Sequence, residues 1–210
     1  MLRLSIAKYK RESVSAIESE ILLELNPYES KRIREYTFKN KEHRIIGFHL
    51  LKNQLNYFKE PFSLFELQRN SFHKPYFNNT SFDFSISHSN NYVVCLASES
   101  EKVGVDIEFE EQELINMDSD FFCSSEKESV RQQKGREFYY YLHTRKEAFS
   151  KAIGQGIFLE HKLFDVQNES IFFNNDEWFL NSLNLLRDYS LSYASNKKKS
   201  FFEIIDIEIW

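Results

Sequence analysis

FDFSISHSNNYVVCLA, residues 82–97, is the stretch on which the fold turns. Phe82, Phe84 and Ile86 alternate with Asp83, Ser85 and Ser87. A period of two sends the rings and the polar groups to opposite faces of a strand. Asn90-Asn91 supplies a turn, since asparagine tolerates the left-handed backbone region, and Tyr92-Val93-Val94-Cys95-Leu96-Ala97 is predicted to return as a buried strand. After a polar break over 98–102 the alternation resumes at Val103, Val105 and Ile107. Two strands in a hairpin and a third after a short break predict a sheet of neighbouring strands.

Outward from this sheet the period changes. Ile45, Ile46, Phe48, Leu50, Leu51 and Leu55 recur at three- and four-residue spacing, which predicts an amphipathic helix over 42–58. Shorter helices are expected over 18–25, stopped by Asn26-Pro27, and over 29–36; a strand is expected over 4–8. Residues 70–79 are expected to be a loop carrying a Lys74-Pro75 step, and 109–120 to be acidic and irregular. Ser125 with Glu128 forms a capping-box pattern, and a long helix over 137–153 meets Gly154 and Gly156. Strands are expected over 163–166, 170–173, 189–194 and 201–209. FSIS at 84–87 and YSLS at 189–192 occupy matching places before a turn and a further strand. Short strands resemble one another by chance about as readily. Taken as a true repeat, the echo gives an α+β fold of two related halves, residues 1–100 and 101–210, each an antiparallel sheet with a packing helix.

Composition narrows the function. The chain has 210 residues with 21 Phe and 11 Tyr, enough large rings to form a core. No apolar run approaches the roughly 18 residues of a membrane span, and the first residues lack the apolar centre of a secretory signal. Two cysteines, Cys95 and Cys123, make no disulfide framework and point to the reducing cytoplasm. A net charge of −5 argues against a general nucleic-acid binder. Basic residues do gather at Lys31, Arg32, Arg34, Lys39, Lys41 and Arg44, and again at 197–199. P-loop, dinucleotide, zinc-finger, zinc-protease and nucleophile-elbow patterns are all missing from the sequence.

Four short motifs can carry chemistry. VGVDIE, 103–108, places Asp106 and Glu108 on one face of a strand, about 6.5–7 Å apart at the backbone. A proton or a divalent cation would relieve their repulsion, and a solvated acidic edge would as well. RKEAFSKAIGQG, 145–156, puts Glu147 and Lys151 on one helix face, as a surface ion pair or as site residues in a cleft. FSISHS, 84–89, sets His88 beside Ser87 and Ser89, and HKPYF, 73–77, holds Lys74 against the stiff Pro75 next to Tyr76.

HKPYF, FSISHS, GVDIE and KEAFSKAIGQG, in this order, resemble the 4′-phosphopantetheinyl transferases, in particular the surfactin-synthetase-activator type with two similar halves in one chain. The likeness runs over roughly residues 30–156 and includes Phe121, Phe122 and Glu126. It implies transfer of the phosphopantetheine arm of coenzyme A to a serine of an apo acyl or peptidyl carrier protein, leaving adenosine 3′,5′-bisphosphate. It further implies that Asp106, Glu108 and Glu147 hold Mg²⁺ with the pyrophosphate. Glu147 would deprotonate the serine, directly or through water, and Lys151 would stabilise the departing bisphosphate. Lys74, Pro75 and Tyr76 would border the adenine nucleotide, Ser87 and His88 would touch phosphate, and Arg44 with Arg32 would bind the 3′-phosphate. A monomer is expected, because one chain would carry both halves. Three departures accompany the likeness: His143 where the family often has Trp, Ile45 where it has a threonine, and Glu29 and Glu35 among the basic residues. They leave room for a non-catalytic relative that binds coenzyme A or a carrier without turnover.

Overall fold

The computed structural model describes residues 1–36, 38–111, 120–133, 135–198 and 202–209. Lys199, Phe201 and most of the acidic stretch 109–120 lie outside these, as does the side chain of Lys39. The elements run β1 (Leu2–Tyr9), α1 (Arg11–Glu24), α2 (Pro27–Glu35), α3 (Phe38–Phe58), β2 (Gln68–Arg69), β3 (Pro75–Tyr76), β4 (Asp83–Ser89), β5 (Tyr92–Ser98), β6 (Val103–Phe109), α4 (Ser124–Gln133), α5 (Arg136–Ile153), β7 (Ser170–Phe173), β8 (Asp176–Leu183), β9 (Tyr189–Ser195) and β10 (Phe202–Ile209).

Two four-stranded sheets result, ordered β10-β1-β5-β4 and β6-β9-β8-β7. The first half opens with β1 and three helices. Asn26 caps α2 by accepting the Glu29 N–H at 3.0 Å, with Pro27 where a missing N–H costs nothing. Ile45, Leu51, Phe84 and Val93, all buried, form the core between α3 and the first sheet. Phe149, Trp178, Leu180 and Ala194 do the same for α5 and the second sheet. A third core joins the halves: Leu2, Leu4, Ile6 and Leu96 of the first sheet meet Val103, Val105 and Ile107 of β6.

The halves are not simple copies. β10 pairs with β1, in parallel, so the first sheet is mixed rather than purely antiparallel and includes residues 202–209. β9 therefore lacks the following hairpin partner that β4 has in β5, and the FSIS/YSLS likeness stops at the strand itself. The expected loop 70–79 contains the turn and second strand of a small hairpin, in which Gln68 and Arg69 pair with Tyr76 and Pro75. The expected strand over 163–166 does not form. Two of its carbonyls are claimed by cations from α5: the Lys146 ammonium donates to Phe164 O at 2.6 Å, and Arg145 Nε to Val166 O at 2.7 Å. The α4 cap is likewise shifted, since the Cys123 N–H donates to Glu126 Oε2, whereas Glu128 pairs with Gln132.

The sheets meet at β4 and β6, and the contact is made by side chains. Backbone N–H groups of Val103, Val105, Ile107 and Phe109 donate to Asp83 Oδ2, Ser85 Oγ, Ser87 Oγ and Ser89 Oγ, at 2.8, 3.1, 3.5 and 2.9 Å. Every second residue of β4 thus reaches across to every second residue of β6. The polar face of FSISHS is a staple between subdomains.

Candidate active site at the seam between the sheets

Period two turns Val103, Val105 and Ile107 of β6 into the shared core and Gly104, Asp106 and Glu108 toward α5. Gly104 sets the approach: a Cβ there would lie 1.9 Å from the Ala148 carbonyl oxygen and 2.4 Å from Ala152 N. With the helix backbone this near, Lys151 reaches Asp106, and His143, two turns back along α5, reaches the acidic pair. α5 stops at Gly154, whose φ of +79° suits glycine, and its N–H closes onto the carbonyls of Ser150 and Lys151.

Asp106 is only 2% exposed. Its Oδ1 accepts from Ser87 Oγ at 2.7 Å and from Lys151 Nζ at 2.6 Å, while Oδ2 is buried without a hydrogen-bond partner. Lys151 also donates to Ser87 Oγ at 2.9 Å. Ser87, expected at phosphate, is thus engaged in orienting this carboxylate. Burial, reinforced by the Asp106 carboxylate, pushes Glu108 up to about 7. Burial also raises Glu147, against the pull of Lys151. Burial works against a charged Lys151, but Asp106, Glu147 and Glu108 outweigh it and hold its pKa above the ordinary lysine value.

Ligand atoms of Asp106, Glu108 and His143 all lie within 4.8 Å of one another. Two carboxylates and an imidazole, with one buried oxygen unpartnered, are a donor set that suits a divalent cation. Glu147 stands outside that set, with its Oε1 3.8 Å from His161 Nε2. A second group, Cys123, Glu126 and Asp165, is already spoken for: Glu126 binds Lys146 Nζ at 2.8 Å and the Val166 N–H, and Asp165 holds Ser125 and Gln167.

The basic residues form the other end of the site. Arg69, which stands in none of the motifs, grips buried Glu29 through Nε and Nη2 at 2.5 and 2.9 Å. Arg32 lies 3.7 Å from the same carboxylate, and its Nη2 donates to Tyr36 Oη, while its Nη1 is buried without a hydrogen-bond partner. The Arg44 guanidinium sits 4.1 Å over the Tyr36 ring. Burial, with Arg69 and Arg32 close by, lowers the pKa of Arg44. Arg69 and Arg32 share Glu29 and Arg44 lies close to both, an excess of positive charge that suits an anion. His88 links the two ends. It stacks on His43 at 4.1 Å, and its pKa is lowered by partial burial and then by His43, Lys151 and Arg44.

Lys74 is placed differently. Its ammonium joins Asp83 Oδ2 at 2.8 Å and the carbonyls of Val103 and Ala152, tying β4, β6 and α5 together. With Asn70, Tyr76, Lys102 and Gly154 it also lines a cavity of about 220 Å³. Ile45, the missing hydroxyl, is fully buried in the first core.

Comparison with known proteins bears on both halves. Residues 15–101 match the family described as 4′-phosphopantetheinyl transferase, N-terminal, and residues 102–194 match the 4′-phosphopantetheinyl transferase superfamily. The two matches meet between β5 and β6. A 4′-phosphopantetheinyl transferase of Bacillus subtilis is 32% identical over 87 residues, 40% of this chain and 38% of its own length. The transferase gsp of Aneurinibacillus migulanus is 35% identical over 97 residues, covering 44% and 39%. HetI of a Nostoc species is 35% identical over 80 residues, covering 35% and 33%. The matched stretch therefore spans less than two-fifths of each relative. Matched in both halves and in order, the chain belongs to the 4′-phosphopantetheinyl transferase superfamily.

Proposed function

We propose that this protein transfers the 4′-phosphopantetheine group of coenzyme A to a serine hydroxyl of an apo acyl or peptidyl carrier protein. The observation that carries this reading is the run of groups along the seam, from Arg32, Arg44 and Arg69 past His88 to Lys151, Asp106 and Glu108. Coenzyme A presents a 3′-phosphate and a pyrophosphate, and the arginines suit the first. Residues 1–100 contribute the anion-binding end and residues 101–210 the carboxylates.

In the reaction the serine Oγ attacks the β-phosphorus, and the bond from that phosphorus to the bridging oxygen breaks. Adenosine 3′,5′-bisphosphate leaves with the bridging oxygen. The serine proton goes to Glu147, whose raised pKa suits a group that must accept it. Lys151, kept charged by three carboxylates, neutralises the leaving oxygen. His88 and the arginines hold the nucleotide in place. A divalent cation, Mg²⁺ in the reading from resemblance, would be held by Asp106 and Glu108 and would supply charge neutralisation across the pyrophosphate. Two free cysteines support work in a reducing cytoplasm, and among the described residues no helix is long and apolar enough to cross a membrane. The site is built from one chain, which supports a monomer.

Incubation with coenzyme A, Mg²⁺ and an apo carrier tests the proposal. The carrier should gain the mass of one phosphopantetheine, and Asp106→Ala should abolish the gain. A carrier that stays apo across a panel of acyl and peptidyl carriers, with coenzyme A still bound, would leave a binding protein instead.

A further inference from the structure

We infer that His143 is a nitrogen ligand of the cation at this site, and that the centre consequently prefers ions with affinity for imidazole, such as Co²⁺, over Mg²⁺. The inference deepens the function proposed above by assigning a ligand to its metal.

The side chain stands where a ligand is needed. His143 offers one nitrogen within 4.8 Å of oxygens from both Asp106 and Glu108. Its Nδ1 is buried and has no hydrogen-bond partner among the described residues. No protein group among them thus competes with a cation for that nitrogen, and a buried polar atom left unpaired costs free energy. The ring is also held in one plane: Phe121 stacks on it at 4.6 Å with 22° between planes, and Tyr139 lies near-parallel at 6.0 Å. Asp106 provides a second, independent sign. It is 98% buried, Lys151 and Ser87 occupy Oδ1, and Oδ2 remains unpartnered.

Ligand chemistry then sets the ion. Mg²⁺ is hard and takes oxygen ligands, dehydrating reluctantly. Imidazole raises affinity along the first-row series and does little for Mg²⁺. Tryptophan, the residue often found here in the resembling family, offers no ligand atom, so the preference belongs to this chain's own His143.

The test needs neither coenzyme A nor a carrier. The full-length protein is titrated calorimetrically with Co²⁺ and with Mg²⁺, and the cobalt form is examined by proton NMR for a strongly shifted imidazole resonance. Co²⁺ should bind about tenfold or more tighter than Mg²⁺. His143→Phe should lose the shifted resonance and most of that preference while keeping Mg²⁺ binding. Unchanged cobalt affinity and an unchanged resonance in His143→Phe would overturn the inference. Should that variant fail to fold, ¹⁵N-histidine labelling of the wild-type protein decides the matter, by whether the assigned His143 signal is the one that cobalt shifts. Cobalt binding through His143 with every carrier left apo would sink the transfer reading alone. Transfer with cobalt binding indifferent to His143 would sink this inference alone.

Discussion

α3 and α5 each lie on a four-stranded sheet, and a glycine mediates each contact, but the glycine is on opposite partners. In the first half it is on the helix: a Cβ at Gly47 would meet the Ile86 side chain, with Cγ2 at 2.9 Å. In the second it is on the strand, and a Cβ at Gly104 would meet the helix backbone itself. A side chain can turn aside, whereas a hydrogen-bonded helix backbone cannot. The first arrangement is packing between layers. The second brings α5 down onto β6 until Lys151 touches Asp106 and His143 faces Glu108, so the half with the stricter contact is the one that carries the carboxylates.

Breaking that contact should have the largest effect. Gly104→Ala should give no soluble folded protein, an effect beyond about 4 kcal/mol, whereas Gly47→Ala should cost about 1–3 kcal/mol and leave a cooperative urea transition. Equal midpoints for the two variants would contradict the asymmetry. Asp83→Ala comes next. It strips partners from the Lys74 ammonium and from the Val103 N–H at the seam, both poorly accessible to water. A loss of about 3–5 kcal/mol in chemical denaturation is expected. Ser85→Ala leaves one buried N–H of β6 unpaired and should cost about 1–3 kcal/mol. The β4–β5 hairpin, bonded through backbone, offers no equivalent single-residue weakness.

The smallest effect concerns pH. Burial, with Lys146 and His143 nearby, lowers the pKa of His161 from 6.5 to about 4, and its Nε2 lies 2.7 Å from Ser150 Oγ. Below pH 6.5 the unfolded chain binds a proton that the folded protein refuses, so stability falls as pH drops from 6.5 toward 4. One unit below 6.5 the loss should be on the order of 1 kcal/mol, and His161→Gln should remove it from the melting-temperature profile. Identical acid limbs for the two proteins would rule this out.

Local signals carried much of the fold. Alternation around Phe84 and Val105 and the glycine after α5 were enough to locate β4, β5, β6 and the long helix. β8 is not among the expected strands, although Asn174-Asn175, both at positive φ as Asn90 is, make its turn. Apolar Leu163, Phe164 and Val166 suggest a strand over 163–166, while what fixes the segment is Arg145 and Lys146 arriving from another element. The site divides similarly. Asp106 and Glu108 are two apart on one strand and were visible as a pair. Arg69 finds Glu29 across 40 positions and His143 finds Glu108 across a helix–strand contact, and neither distance leaves a periodic trace. The spacing of the β4 serines also matches the amides of a strand 20 residues on, a pairing that no local pattern announces.

The pairing of β10 with β1 has a consequence for how this protein comes apart. Arg3 and Glu203 bond at 3.1 Å although 200 positions separate them, and the strands between which they reach lie parallel. Contacts so remote in sequence form late and slowly. Until they form, β1 shows an open edge rich in Leu2, Leu4 and Ile6, the kind of surface on which chains aggregate. Refolding yield should therefore depend on protein concentration, and a chain that has lost β10 to a cut after β9 should precipitate rather than stay in solution.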